Sequence, residues 1–233
     1  MLTPEGVRVA RLFDELGMDF ERAYAGRKQA QIDAVEELIR RLSPGARVLD
    51  VGCATGRPTA EQLCAKGMDV TGTDVSEVML DHARRQVPQA RYVLADLFSD
   101  APVGLGRYDA VVSLFCLVHL PEHAFVDGLR RLAALTVPGG IILLAVPEHQ
   151  ADEEVRFLGR TYPPARCLSE DVRRYALLAG LNVERVEVRT EPSPQEEDGR
   201  VPPERSVFLW ATTEPAASPA PGPSVCATDS SPS

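Results

Sequence analysis

The stretch Val48-Leu49-Asp50-Val51-Gly52-Cys53-Ala54-Thr55-Gly56-Arg57-Pro58 constrains the fold more than any other part of the chain. Val48 to Val51 is apolar and β-branched, with one acid near its end, and reads as a short buried strand. Gly52 and Gly56 break that strand. Pro58 suits the first turn of a helix, where its missing N–H costs nothing. The order is therefore strand, glycine turn, helix. In an open α/β sheet, ligands sit at such a junction, outside the carboxyl end of the strand. Glycines let the backbone approach a ligand, and the following helix offers free N–H donors.

A second signal follows. Asp69 to Thr73 reads as the next strand, and Asp74 at its end lies 22 residues after Gly52. An acid there can accept hydrogen bonds from both hydroxyls of a ribose. Loop and acid together indicate a nucleoside cofactor without choosing between a dinucleotide and another kind. The dinucleotide fingerprint is G-x-G-x-x-G. Here the glycines are Gly52 and Gly56 with Ala54 between them, a spacing that suits a pyrophosphate cradle poorly.

These residues resemble motif I of the class I S-adenosylmethionine-dependent methyltransferases, whose usual form is Asp/Glu-x-Gly-x-Gly-x-Gly. The departure is Ala54 at the middle glycine, which adds a methyl group where the loop meets the cofactor. Gly72-Thr73-Asp74-Val75-Ser76 matches the segment whose acid holds the ribose. Ala95-Asp96-Leu97 matches the stretch that reads the adenine. Tyr108 to Ser113 looks like strand four, and Val137-Pro138-Gly139-Gly140 like the turn into strand five. The resemblance runs from about Phe20 to Thr212. It implies a Rossmann-like, doubly wound α/β sheet of seven strands, mostly parallel with an antiparallel last strand, and helices on both faces. It also implies S-adenosylmethionine as cofactor, contacted by Asp50, Gly52, Cys53, Ala54, Gly56, Asp74, Val75, Met79, Asp96, Leu97 and Leu114. An aromatic residue of the N-terminal segment often packs near the cofactor in related enzymes, and Tyr24 is the candidate.

The 233 residues suffice for one domain with a sizeable core. Residues 1–213 are expected to form that domain, with 1–26 as an N-terminal helical lid or, equally, a helix simply packed on it. Residues 214–233, rich in Pro, Ala and Ser, are expected to be a disordered tail. The net charge is −9 and the arginines are scattered, so nucleic acid is disfavoured as a partner. No apolar run of about eighteen residues is present, and the N-terminus carries Glu5, Arg8, Arg11 and Asp14. A cytoplasmic location with no membrane partner is therefore expected. The five cysteines have no metal-like spacing and are expected to be reduced, mostly buried thiols.

Along the chain, Glu5 to Tyr24 reads as helical, with Leu12, Phe13, Leu16 and Phe20 at helical spacing. Gln29 to Leu42 is an amphipathic helix. Ser76 is a plausible N-cap with Glu77 in the first turn, and Pro88 ends that helix. Arg91 to Ala95, Asp109 to Leu114 and Ile141 to Val146 read as strands three to five. Pro147 to Leu168 is irregular and is expected to cover the acceptor pocket, together with residues 115–120 and the N-terminal helix. Ser169 is expected to cap another helix. Val183–Val188 and Ser206–Thr212 supply two final strands, which the resemblance pairs as a hairpin.

The expected reaction moves a methyl group from S-adenosylmethionine to an oxygen or nitrogen of a small-molecule acceptor. The strand-four edge lacks the Asn-Pro-Pro-Tyr type of segment that resembling enzymes use for nucleobase amino groups, and the Pro-Cys pair used for cytosine carbon. No carboxylate set looks like a metal site, so no metal is expected. His119 is the candidate general base. The other reading of His119-Leu120-Pro121 is a turn with the imidazole packed near the cofactor, and a site without a base is then possible. Three alternatives remain at this point: a protein that binds the cofactor without methylating, a cyclase that uses the same pocket, and a nicotinamide-dependent oxidoreductase.

Overall fold

A computed structural model describes residues 1–24, 28–99, 106–118, 120–150, 155–157, 160–162, 166–191 and 204–215. Helices α1 (Pro4–Leu16), α2 (Met18–Ala23) and α3 (Gln29–Arg41) lead into β1 (Arg47–Val51). Then follow α4 (Thr59–Ala65), β2 (Asp69–Asp74), α5 (Glu77–Gln86), β3 (Arg91–Leu94), β4 (Tyr108–Leu114) and α6 (Glu122–Ala134). The remainder is β5 (Thr136–Pro147), β6 (Val155–Phe157), β7 (Arg160–Tyr162), α7 (Ser169–Leu178), β8 (Asn182–Glu191) and β9 (Glu204–Thr212).

Seven strands form one sheet in the order β3-β2-β1-β4-β5-β9-β8. The pairs β1–β2, β1–β4, β2–β3 and β4–β5 are parallel. Strand β9 runs antiparallel to both β5 and β8. This is the expected doubly wound sheet with one reversed strand, and β8–β9 is the expected hairpin. The chain leaves β1 toward β2 on one side and later returns as β4 on the other. The carboxyl end of β1 is thus the switch point, where neighbouring crossovers diverge and open a crevice.

Side-chain alternation along β1 explains why both sheet faces are covered. Val48 joins Ala34, Val35 and Leu38 of α3 and Leu63 of α4 on one face, over Phe208 and Trp210 of β9. Leu49 and Val51 join Phe125, Leu129 and Leu132 of α6 and Val172 of α7 on the other. Val48, Leu49, Trp210 and Phe208 are fully buried, as a close-packed interior requires.

Several local expectations need correction. The N-terminal segment is two helices, because Gly17 at φ +48° breaks it between Leu16 and Met18. Within α1 only Gly6 and Ala10 are buried, and the larger residues Leu12, Phe13 and Leu16 are half-buried. The helix rests on α5 by a shallow face. Pro58 sits one residue before helix α4, at its N-cap. Ser169 opens α7 rather than capping it, and the N-cap backbone N–H of Leu168 is bonded by Asp171 instead. The Pro147–Leu168 segment contains the hairpin β6–β7, and its two ends are tied by the His149–Cys167 bridge. From residue 216 onward the expected tail lies outside the described residues.

Candidate functional site

The turn after β1 alternates left-handed residues: Gly52 at φ +73°, Ala54 at +45° and Gly56 at +79°. Two of these are glycines, which adopt that region freely, whereas Ala54 carries strain. Hydrogen bonds fix the turn to β2. The N–H groups of Gly52 and Cys53 both donate to the Thr73 carbonyl, at 2.8 and 3.0 Å. The Ala54 N–H donates to Asp74 Oδ2 at 2.9 Å. A Cβ added at Gly52 would lie 2.6 Å from both Cβ and Sγ of Cys116, so the segment after β4 presses directly on the turn. Phe115, one residue earlier, is the other non-glycine residue at positive φ among the described residues, at +62°. Backbone outliers of this kind cluster at functional sites. These two follow the neighbouring strands β1 and β4.

Asp74 is buried, and both its oxygens already hold backbone donors: Oδ2 takes Ala54 and Oδ1 takes Ser76 at 2.9 Å. Each carboxylate oxygen has a second lone pair, so acceptor capacity remains. Burial pushes the Asp74 carboxyl up, against the pull of its backbone donors. Asp50 is also buried, and its Oδ2 has no hydrogen-bond partner. Burial, with Asp74 adding to it, pushes the Asp50 carboxyl up to about 7. A buried acceptor without a donor costs free energy, and a cationic or N–H-bearing ligand beside it removes that cost. The ammonium group of a methionine moiety has that chemistry, so the site suits S-adenosylmethionine.

Asp96 follows β3 at the same sheet edge and is buried. Its Oδ1 accepts the Phe98 N–H at 2.9 Å, and its Oδ2 accepts both the N–H and the hydroxyl of Thr3, at 2.9 and 2.6 Å. Leu97, Met79 and Leu114 are buried around this edge, and Val75 is half-buried. The Cys53 thiol turns under the loop, where a Cβ added at Gly72 of β2 would meet its Sγ at 2.8 Å. Cys53 therefore offers the site its backbone. Burial pushes the Cys116 thiol up to about 12, so it is protonated at neutral pH and is no nucleophile.

Tyr24 ends α2 with its ring 5.5 Å from Phe20, and burial together with Glu204 of β9 pushes its phenol up. His119 lies outside the described residues. A small cavity is lined by Leu117, Leu120, Phe125, Val146, His149 and Cys167, where the ends of β4 and β5 meet the Pro147–Leu168 segment. Among the described residues, no group of three His, Cys, Asp or Glu could hold a metal ion.

Sequence reasoning did not identify Thr3 or Asp14, and it named Phe115 only as the start of the 115–120 segment. Thr3-Pro4-Glu5 is a helix start by its residues, with Thr as N-cap and Pro at the first position. Its partner, 93 positions away, leaves no local signal. The Asp14 carboxylate accepts the Ser76 hydroxyl at 2.5 Å, and that contact is equally non-local.

Glycine turn, two buried acids at successive strand ends, and a crevice at the switch point define a nucleoside-cofactor site of the Rossmann-like class. Residues 48–140 match the family described as a methyltransferase domain. In this segment the chain is similar to S-adenosylmethionine-dependent methyltransferases. It is 34% identical over 128 residues to a trans-aconitate 2-methyltransferase of Variovorax paradoxus (strain S110), a match covering 53% of this chain and 48% of that protein. The chain thus spans about half the length of the curated relatives it matches. Among solved structures, the magnesium protoporphyrin IX methyltransferase of Synechocystis PCC 6803 with bound S-adenosylhomocysteine superimposes with a TM-score of 0.67. The identity is 21%, covering 90% of this chain and 99% of that one. The [4+2]-cyclase SpnF also reaches 0.67, at 18% identity and covering 92% and 99%. At such identities the likeness speaks for the fold alone, and the two neighbours carry different chemistries on it.

Proposed function

We propose that this chain transfers the methyl group of S-adenosylmethionine to an oxygen or nitrogen of a small-molecule acceptor and releases S-adenosylhomocysteine. The observation that carries this reading is the Asp50–Gly52–Ala54–Asp74 arrangement at the switch point, inside the segment that matches a methyltransferase domain. The cofactor supplies a methyl group on a positive sulfur, and the protein supplies binding and alignment.

In this reading the turn from Gly52 to Gly56 lies against the methionine moiety. Asp50 is the counter-charge for its ammonium group, directly or through a bridging contact. Asp74 accepts from the ribose hydroxyls with its remaining lone pairs. Asp96 accepts from the adenine amino group, while Leu97, Met79 and Val75 flank the ring. Leu114, at the end of β4, faces the transferred methyl. Tyr24 closes the far side of the pocket, against β9. The acceptor enters between residues 115–120 and the segment after β5. His119 is the base for an acceptor that needs deprotonation, while a carboxylate or an acidic hydroxyl attacks without one. An oxygen acceptor agrees with the names of relatives such as the O-methyltransferase cnsE of Penicillium expansum and the ubiquinone biosynthesis O-methyltransferase of Vibrio parahaemolyticus. Action in the cytoplasm is part of the same reading. The free thiols of Cys53, Cys64, Cys116 and Cys167 suit a reducing compartment.

The test is incubation with S-adenosylmethionine and a panel of small carboxylic acids, phenols and amines. Mass spectrometry reads methylated product, and a coupled assay reads S-adenosylhomocysteine. Equal amounts of both support the reading. Conversion of an acceptor with no S-adenosylhomocysteine formed would instead support cyclase-type chemistry on the same fold.

A further inference from the structure

We propose that helix α1 is an internal occupant of the adenine edge of the cofactor site, and that Thr3 must release Asp96 before the cofactor binds. This rests on the reading of Asp96 as the acceptor for the adenine amino group. Thr3 already fills that role. Thr3 brings two donors, its N–H at 2.9 Å and its hydroxyl at 2.6 Å, to the same oxygen of Asp96. The other oxygen is held by the Phe98 N–H. An exocyclic amino group also offers two hydrogens, so Thr3 supplies the chemistry that the adenine would supply.

The approach is close enough to leave no gap. A Cβ added at Gly6 would overlap Asp96 Oδ2, so the backbone of the first helical turn lies directly on the carboxylate. Glycine inside a helix costs roughly 0.5–1 kcal/mol relative to alanine, and this contact is the reason alanine does not fit. At the other end of the helix, Asp14 accepts from Ser76, whose own N–H donates to Asp74. One helix therefore touches the surroundings of both the adenine-reading and the ribose-holding acid.

The hold is polar at Asp96 and only partly apolar along the helix: Gly6 and Ala10 are buried, while Leu12, Phe13 and Leu16 are half-buried. Cofactor and helix compete for one acceptor, and the apparent affinity falls by the fraction of chains that are open.

The experiment is titration of the full-length protein with S-adenosylhomocysteine, comparing wild type with Thr3→Ala and Gly6→Ala. The first variant removes one donor and the helix cap, and the second forces the helix off Asp96. Both should bind about tenfold tighter than wild type, the worth of one hydrogen bond to a charged group. Hydrogen exchange in residues 4–16 of the wild type should speed up when S-adenosylhomocysteine saturates the site. Binding in all three proteins with no gain in the variants overturns the proposal alone. So does slowed exchange in residues 4–16, which would make α1 a cover over bound cofactor. No binding in any of the three would overturn the cofactor reading and this proposal with it.

Discussion

The Asp74 carboxylate at the end of β2 holds the Ala54 N–H in the turn after β1, 2.9 Å away. One acid thus fixes the conformation of the turn and, in the proposed site, also presents the acceptor for the ribose. Its removal should act through both. Asp74→Ala is expected to weaken S-adenosylmethionine binding at least tenfold, since a hydrogen bond to an ionised group is worth about 1.5–3 kcal/mol. Calorimetric titration checks this, and an unchanged dissociation constant removes Asp74 from the site.

Asp50 makes stability depend on pH. Its folded carboxyl titrates near 7 against 3.8 for the free side chain, with burial as the main cause and Asp74 the second. Between those values the folded chain holds a proton that the unfolded chain has lost. The favourable contribution is complete below 3.8 and is lost as pH rises through about 7. Each unit of such a shift is worth about 1.36 kcal/mol. Urea midpoints should therefore fall from pH 5 to pH 8 in the wild type and fall less in Asp50→Asn. Binding runs the other way. A cationic cofactor favours the ionised acid, so affinity should rise over the same range and stay flatter in the variant.

Gly52 is required twice, by its φ of +73° and by Cys116. Gly52→Ala should cost roughly 1–3 kcal/mol of stability and abolish cofactor binding. Cys116→Ala should not rescue it, because the Cys116 Cβ is as close as the sulfur. Thermal unfolding of the single and double variants decides the point. Rescue by Cys116→Ala would show that the sulfur alone is the obstacle.

Ala54 is strained where a glycine would not be. Ala54→Gly should relieve about 1 kcal/mol in the folded turn and lose a similar amount to greater freedom in the unfolded chain. Stability should stay within about 1 kcal/mol of the wild type. Cofactor affinity should be equal or tighter. A loss of affinity would mean that the Ala54 methyl group itself contacts the cofactor.

The sheet was legible because its strands are short apolar runs separated by glycine and proline, and because parallel crossovers restrict the order in which such strands pack. The positions of Asp50, Gly52 and Asp74 were legible because apolar runs and the glycine turn mark the ends of β1 and β2. The N-terminal segment was read less well. Gly17 breaks it by adopting a left-handed conformation, and many glycines inside helices do not. The grip of Thr3 on Asp96 and of Asp14 on Ser76 was invisible, since both pairings are set by tertiary packing. The β6–β7 hairpin was missed because three-residue strands carry too few alternations to register as a period.

The most direct test is parallel calorimetric titration of the purified protein with S-adenosylmethionine, S-adenosylhomocysteine and NAD. The site described here predicts binding of the first two and none of NAD. Binding of NAD alone would contradict it, and would return the Gly52–Gly56 turn to the dinucleotide-binding class.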